Sequence, residues 1–243
     1  MDLVGALAAD SNLICVVGAG GKKSTLYALA QRIDHAVVTA TVRIPIFDEQ
    51  VADVFVTETP EDALESVEEW PVGVVPEQER FDRYRGYDPE TVAELADSDA
   101  DVDSILVKAD GARTRLLKAP KEQEPQLPSN ADVVVPIASA RAVGKPLTDE
   151  FVHRPERVSK LTELQMGEEI HASDVAAVLA SEHGGLKDVP DGATAIPVVN
   201  MVDDDRLENV GREIAEQVLS ETDVPRVVLT KMTARNPVVA VVK

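Results

Sequence analysis

The chain has 243 residues, enough to bury a real core as one large α/β domain or two small ones. Hydrophobic residues make up 44%, which excludes a disordered acidic tail. Acidic residues number 44 against 24 basic ones, and the net charge of −20 repels nucleic acid and anionic membrane surfaces, excluding both as general partners.

The acids are spread along the whole chain and lysine is scarcer than arginine. This predicts the surface of a halophile's cytosolic protein, with salt screening the self-repulsion; an ordinary acidic enzyme is the alternative. The single Cys15 lies in an apolar run, so it forms no internal disulfide or metal cluster and reads as a small core residue. The start, MDLVGALAAD, carries an acid and lacks a basic n-region, and no apolar run approaches the ~20 residues that span a bilayer. A cytoplasmic location is expected.

Residues 13–17, LICVV, predict a buried strand, followed by a helix from Lys22 to about residue 33. HAVVTATVRI and ADVFVT predict the second and third strands. TPEDALESV opens a helix with Thr59 at the cap and Pro60 at the first helical position. PVGVV gives a strand, residues 89–96 a helix, and SILVKAD a buried strand ending at Asp110. Residues 111–130, with Pro120, Pro125 and Pro128, predict a long loop. ADVVVPIAS returns to strand, and 140–165 mixes helical fragments with a turn at 144–146. SDVAAVLASEHGG predicts a capped helix stopped by paired glycines, and a strand, a helix over 204–220 and two further strands complete the order. The alternation predicts βαβ units: an α/β fold with a P-loop-like, mainly parallel sheet and flanking helices. A single domain over 1–243 is expected, with subdivision near 140–150 left open.

The junction ICVVGAGGKKSTLYALA places glycines between an apolar strand and a helix start, where backbone N–H groups and the helix dipole favour phosphate. Gly18, Gly20 and Gly21 carry no side chain to block its approach, and the spelling G-x-x-G-K fits Gly18, Gly21 and Lys22 across Ala19. The common loop places a hydroxyl after its lysine to hold magnesium. Lys23 stands there, so Ser24 or Thr25 is the expected metal ligand, with Asp110 behind it. A dinucleotide loop is excluded because position 23 is not glycine and Thr39, Thr41 and Arg43 follow the second strand where an acid is expected. A plain tight turn is the bland alternative, but it does not call for two lysines at a helix start, where the dipole disfavours cations.

VVGAGGKKST, VTATVRI, LVKADGARTRLLKAPKEQEP, VHRPERV and VVNMVD occur in the order and spacing of the YqeC family, which the chain resembles across most of its length. The family is described as selenium-dependent hydroxylase accessory proteins. The resemblance implies a nucleotide-dependent step, phosphoryl or nucleotidyl chemistry using ATP or GTP with magnesium, in maturing a molybdenum hydroxylase or its cofactor. It implies site roles for Lys118 and Glu124 in LKAPKEQEP and for His153 and Arg154 in HRPE. Lys22, Asp110 and Lys118 would carry the chemistry, and Thr39 or Thr41 would lie near the γ-phosphate. Where the family tends to N-K-x-D, this chain has Asn200-Met201-Val202-Asp203; Asn200 and Asp203 would face the base, or Asp203 would cap a helix. Arg113 and Arg115 bind an anion or balance nearby acids, and His171 and His183 read as surface. A delivery or scaffold protein that binds nucleotide without turnover is the contrasting class.

Overall fold

The computed structural model describes residues 1–10 and 13–243. Leu13–Gly18 forms β1, whose side chains alternate between two apolar clusters: Ile14 and Val16 enter one, and Leu13, Cys15 and Val17 the other. A strand covered on both faces needs no polar alternation, which is why this run is continuously apolar.

Preceded by the short α1 (Leu3–Ala6), β1 leads to α2 (Lys22–Ala30), β2 (Ala36–Ala40), β3 (Ile44–Pro45), β4 (Asp53–Val56), α3 (Pro60–Leu64), β5 (Val72–Val75) and β6 (Arg83–Tyr84). The middle of the chain forms α4 (Pro89–Ala96), β7 (Ser104–Lys108), β8 (Leu117–Lys118), β9 (Val133–Ser139) and β10 (Val152–His153). Then come α5 (Pro155–Thr162), α6 (Ala172–Ala180), β11 (Thr194–Ala195), β12 (Val198–Asn200), α7 (Asp205–Glu221), β13 (Val227–Thr230) and β14 (Val238–Val242).

The main sheet runs β14-β13-β12-β9-β1-β7-β2-β5-β4, with β11 pairing β9 off this path. Every pairing in it is parallel except β13 with β14, so the fold is α/β with a large, mostly parallel sheet and helices on both faces. Helices α1 and α2 pack Leu3, Leu26 and Leu29 against Ile14, Val38 and Leu106. On the other face α3 and α4 bring Leu64, Val92 and Leu95 to Cys15 and Ile105, while α5–α7 bring Val158, Val175 and Ile214 to Val199 and Leu229. Each of these aliphatic side chains contributes about 1.5–3 kcal/mol of burial before the entropy of ordering is set against it. The sheet is continuous across residues 140–150, since β9 and β12 pair on either side of that stretch. Among the described residues no helix is long and apolar enough to cross a membrane.

Several element ends differ from the sequence expectation. Thr59 sits at the cap of α3 without making a side-chain cap bond, and that helix is five residues long. The cap of α6 is His171, whose backbone N–H donates to Asp174 Oδ2 at 2.7 Å. That helix ends at Ala180; Gly184 and Gly185 lie in the turn beyond, their amides donating to the Ser181 and Val178 carbonyls. The long loop after β7 contains β8, which pairs with β10.

Candidate functional site

β7 and β2 lie on one side of β1, and β9 and β12 on the other. The connections therefore leave β1 toward opposite edges, and the crevice outside the carboxyl ends is where ligands of open α/β sheets bind. The glycine loop follows β1, Asp110 follows β7, and Ser139 and Asn200 end β9 and β12, so all four meet there.

Packing demands glycine in this loop independently of any ligand. Gly18 adopts φ +88° with the Ile137 carbonyl where a Cβ would stand, and Gly21 adopts φ +139° with the Asn200 amide in that place. Asn200 is a clamp: its Nδ2 donates to the Gly20 carbonyl at 2.8 Å, and its Oδ1 accepts from the Thr230 hydroxyl at 3.0 Å and the Met232 amide at 3.3 Å. Helix α2 starts with two lysines, and Gly21 at its cap offers no side-chain acceptor to the first-turn N–H groups.

Beneath the loop runs a ladder of alternating charges. Lys22 donates to the Gly18 carbonyl, and its Nζ stands 3.0 Å from Asp110 Oδ1. Asp110 Oδ2 accepts from the Gly18 amide at 2.9 Å and from Lys118 at 2.7 Å. Lys118 spends its remaining donors on the Gly111 carbonyl at 2.6 Å and Glu124 at 2.7 Å, so all three of its N–H groups are committed. Arg154 grips Glu124 through two bonds of 2.8 and 3.1 Å. Burial pulls the Lys22 ammonium below its ordinary range even though Asp110 opposes this. Burial alone would raise the Asp110 carboxyl, but the two lysines outweigh it and hold Asp110 below the usual carboxylate range.

Beside the loop opens a cavity of about 480 Å³ whose lining includes Gly20, Gly21, Ser24 and Met201. Its lining includes Lys22, Lys23, Lys108, Arg43, Arg83, Arg113 and Arg115, seven cationic residues against one carboxylate, Asp82. Asp82 is taken by Arg83 at 2.7 Å, and Arg43 is paired with Glu79. Among the described residues no carboxylate pairs with Lys23, Lys108, Arg113 or Arg115. Lys108 donates to the Arg43 carbonyl at 2.7 Å, and burial first, then Lys22, lowers its pKa to about 7. Arg113, Thr114 and Met201 all adopt positive φ at this cavity, a strained backbone concentrated where a ligand would sit.

The expected site residues divide accordingly. Gly20, Gly21, Lys22, Lys23 and Ser24 line the cavity; Gly18 and Ala19 lie beneath it, with the Ala19 amide bonded to the Ile137 carbonyl. Lys118, expected to carry chemistry, has no free donor and is fully buried. Thr39 and Thr41, placed near a γ-phosphate, are buried with their hydroxyls bound to the carbonyls of Val74 at 2.7 Å and Gln126 at 2.6 Å. Glu124 and Arg154 belong to the ladder, and the adjoining half-buried His153 is pushed down to about 4 by burial and then by Arg154. The cap of α7 is Asp204 rather than Asp203, which instead meets Arg141 at 2.6 Å, and the Asn200 amide is committed to the loop. Lys108, Arg43 and Arg83 were not singled out by the sequence.

The donors expected for magnesium do not fit it. Thr25 is buried and its hydroxyl donates to the Gly21 carbonyl at 3.1 Å, leaving Ser24 as the exposed hydroxyl of the pair. Asp110 Oδ1 has no aligned hydrogen bond, but it faces Lys22 while Lys118 holds the other oxygen. A divalent ion ~4 Å from either ammonium is repelled by roughly 8 kcal/mol at an effective dielectric of about 20. Among the described residues no group of three His, Cys, Asp or Glu is arranged to hold a metal.

Together the fold and the site define an α/β protein with a glycine-loop crevice and a cationic cavity at the carboxyl ends of its central strands. The chain belongs to the YqeC protein family, whose profile matches residues 14–156, including the loop, Asp110, Lys118, Glu124 and Arg154. It is 28% identical over 197 residues to the uncharacterized protein YqeC of Escherichia coli strain K12, covering 77% of this chain and 75% of that relative.

Proposed function

We propose that this protein binds a nucleoside triphosphate, ATP or GTP, with its phosphates at the Gly20–Ser24 helix start and on Lys22, Lys23, Arg113 and Arg115. It would act as an accessory to the maturation of a molybdenum- or selenium-dependent hydroxylase, by phosphoryl or nucleotidyl chemistry. The observation that carries this reading is the inversion of charge: a chain of net charge −20 lines one cavity with seven cations and one carboxylate. Four of the seven, Lys23, Lys108, Arg113 and Arg115, have no carboxylate partner among the described residues; uncompensated cations repel one another and destabilise the fold, so their assembly favours a polyanionic ligand. The uncapped first turn of α2 adds N–H donors, and Met201 offers an apolar surface to a ring.

A second reading, binding and delivery without turnover, is favoured by one feature: Asp110 and Glu124 are neutralised by lysine and arginine, so neither is free to act as a base. The test of binding is thermal unfolding in high-salt buffer with and without ATP or GTP. A ligand at a hundred times its Kd stabilises the native state by about 2.7 kcal/mol, visible as a rise in Tm. An unmoved Tm at millimolar nucleotide would contradict the reading, and phosphate release at saturating nucleotide separates turnover from delivery.

A further inference from the structure

Resting on that reading, we infer that the cavity takes its polyphosphate ligand without a divalent metal, with Lys23 and Arg113 standing where the metal's charge would be. In the common phosphate loop the residue after the lysine is a hydroxyl that holds magnesium. Here that place is Lys23, whose side chain lines the cavity and has no carboxylate partner among the described residues. Thr25 is turned into the loop and bonded to the Gly21 carbonyl, and the carboxylate behind the loop is held between two ammonium groups. Magnesium takes most of its near-octahedral oxygens from phosphates and water, and of the three protein ligands expected for it, Ser24, Thr25 and Asp110, the Ser24 hydroxyl alone is left uncommitted. Ammonium and guanidinium groups neutralise phosphate oxygens directly through charge-assisted hydrogen bonds, without dehydrating a metal.

Arg113 strengthens the assignment through its backbone. It and Thr114 hold consecutive left-handed conformations, φ +48° and +60°, in the segment joining Asp110 to β8. The Thr114 hydroxyl bonds to the Arg113 carbonyl, the anchored Lys118 fixes one end of the segment, and the Leu116 amide bonds to the Phe151 carbonyl. Strain of this kind persists where the surroundings over-determine it, and here it sets Arg113, which has no carboxylate partner among the described residues, in the lining of the cavity.

The test is calorimetric titration of ATP, and separately of inorganic triphosphate, into the full chain in high-salt buffer containing either EDTA or excess magnesium. The inference expects affinities equal within about threefold in the two buffers. Lys23→Thr, which restores the hydroxyl, should weaken ATP binding in EDTA by about tenfold and make it magnesium-responsive. Arg113→Ala should weaken it in both buffers. Lys23 is half-buried and Arg113 exposed, and among the described residues neither has a carboxylate partner, so an unchanged Tm will show that the variants fold. Binding that requires magnesium in the wild type, or a Lys23→Thr variant that binds like the wild type in EDTA, overturns the metal-free assignment and leaves nucleotide binding standing. Absence of binding in both buffers overturns the assignment and the nucleotide reading together.

Discussion

Two charged regions meet at Lys22 and differ in one respect. Below the loop, Lys22, Asp110, Lys118, Glu124 and Arg154 alternate in sign, and each charge has a partner within about 3 Å. Above it, Lys23, Lys108, Arg113 and Arg115 line a cavity, and among the described residues no carboxylate pairs with them. A lysine in the first region is a fastener; a lysine in the second is an unfilled half of an interaction. The side chains look alike in the sequence, and the count of partners tells them apart.

The largest expected effect breaks the fastened side. Asp110→Asn leaves Lys22 and Lys118 buried without their shared counter-charge, and removing one partner of a buried ion pair costs about 3–5 kcal/mol. A denaturant midpoint shifted by less than a third of that would show that the ladder is not a structural unit. Gly21→Ala comes next. It must leave φ +139° or displace the Asn200 amide, and a loss of about 2 kcal/mol is expected. Nucleotide affinity should fall with it, because the same amide fixes the Gly20 carbonyl.

The open side should respond in the opposite sense. Arg115→Ala is expected to change stability by no more than about 0.5 kcal/mol while weakening ATP binding by roughly tenfold. Equal losses in both would place Arg115 with the ladder.

The smallest effect is a pH dependence carried by Lys108. Its pKa is lowered from 10.5 to about 7 in the folded chain, so between these values the unfolded chain binds the extra proton. Stability from this group therefore rises as pH increases from about 7 toward 10.5, and below about 7 the cost of a buried charge is fully present. A bound polyanion favours the charged lysine, so ATP affinity should fall as pH rises through about 7. Lys108→Met should flatten both profiles in urea melts and in titrations.

Much of the frame was legible in the residues themselves. Largely apolar runs mark β1, β7 and β9 because a parallel sheet is covered on both faces. The same property hid the direction of side chains: an all-buried strand has no polar alternation, so Thr39 gave no sign that it points into the core. The ladder partners Lys118, Glu124 and Arg154 became visible through family resemblance, since proline-rich loops carry no period from which contacts can be read. Lys108 left a signal that went unused, a charge inside ILVKAD; a lysine in a doubly covered strand must reach a partner or a cavity. The far wall came from β3 and β6, two-residue strands too short to show any pattern. At Asp203 the error was one residue, because three consecutive aspartates offer three equivalent caps and backbone geometry selects Asp204.

The most direct test of the central claim is hydrogen exchange, read by mass spectrometry, on the full chain with and without saturating ATP. The account predicts slowed exchange in residues 18–25 and 111–115, where the loop and the strained arginine segment flank the cavity. Residues 171–186, around α6 on the opposite side of the ladder, should be unchanged. Unaltered exchange in 18–25 at saturating ATP, or protection confined to regions away from the cavity, would contradict it.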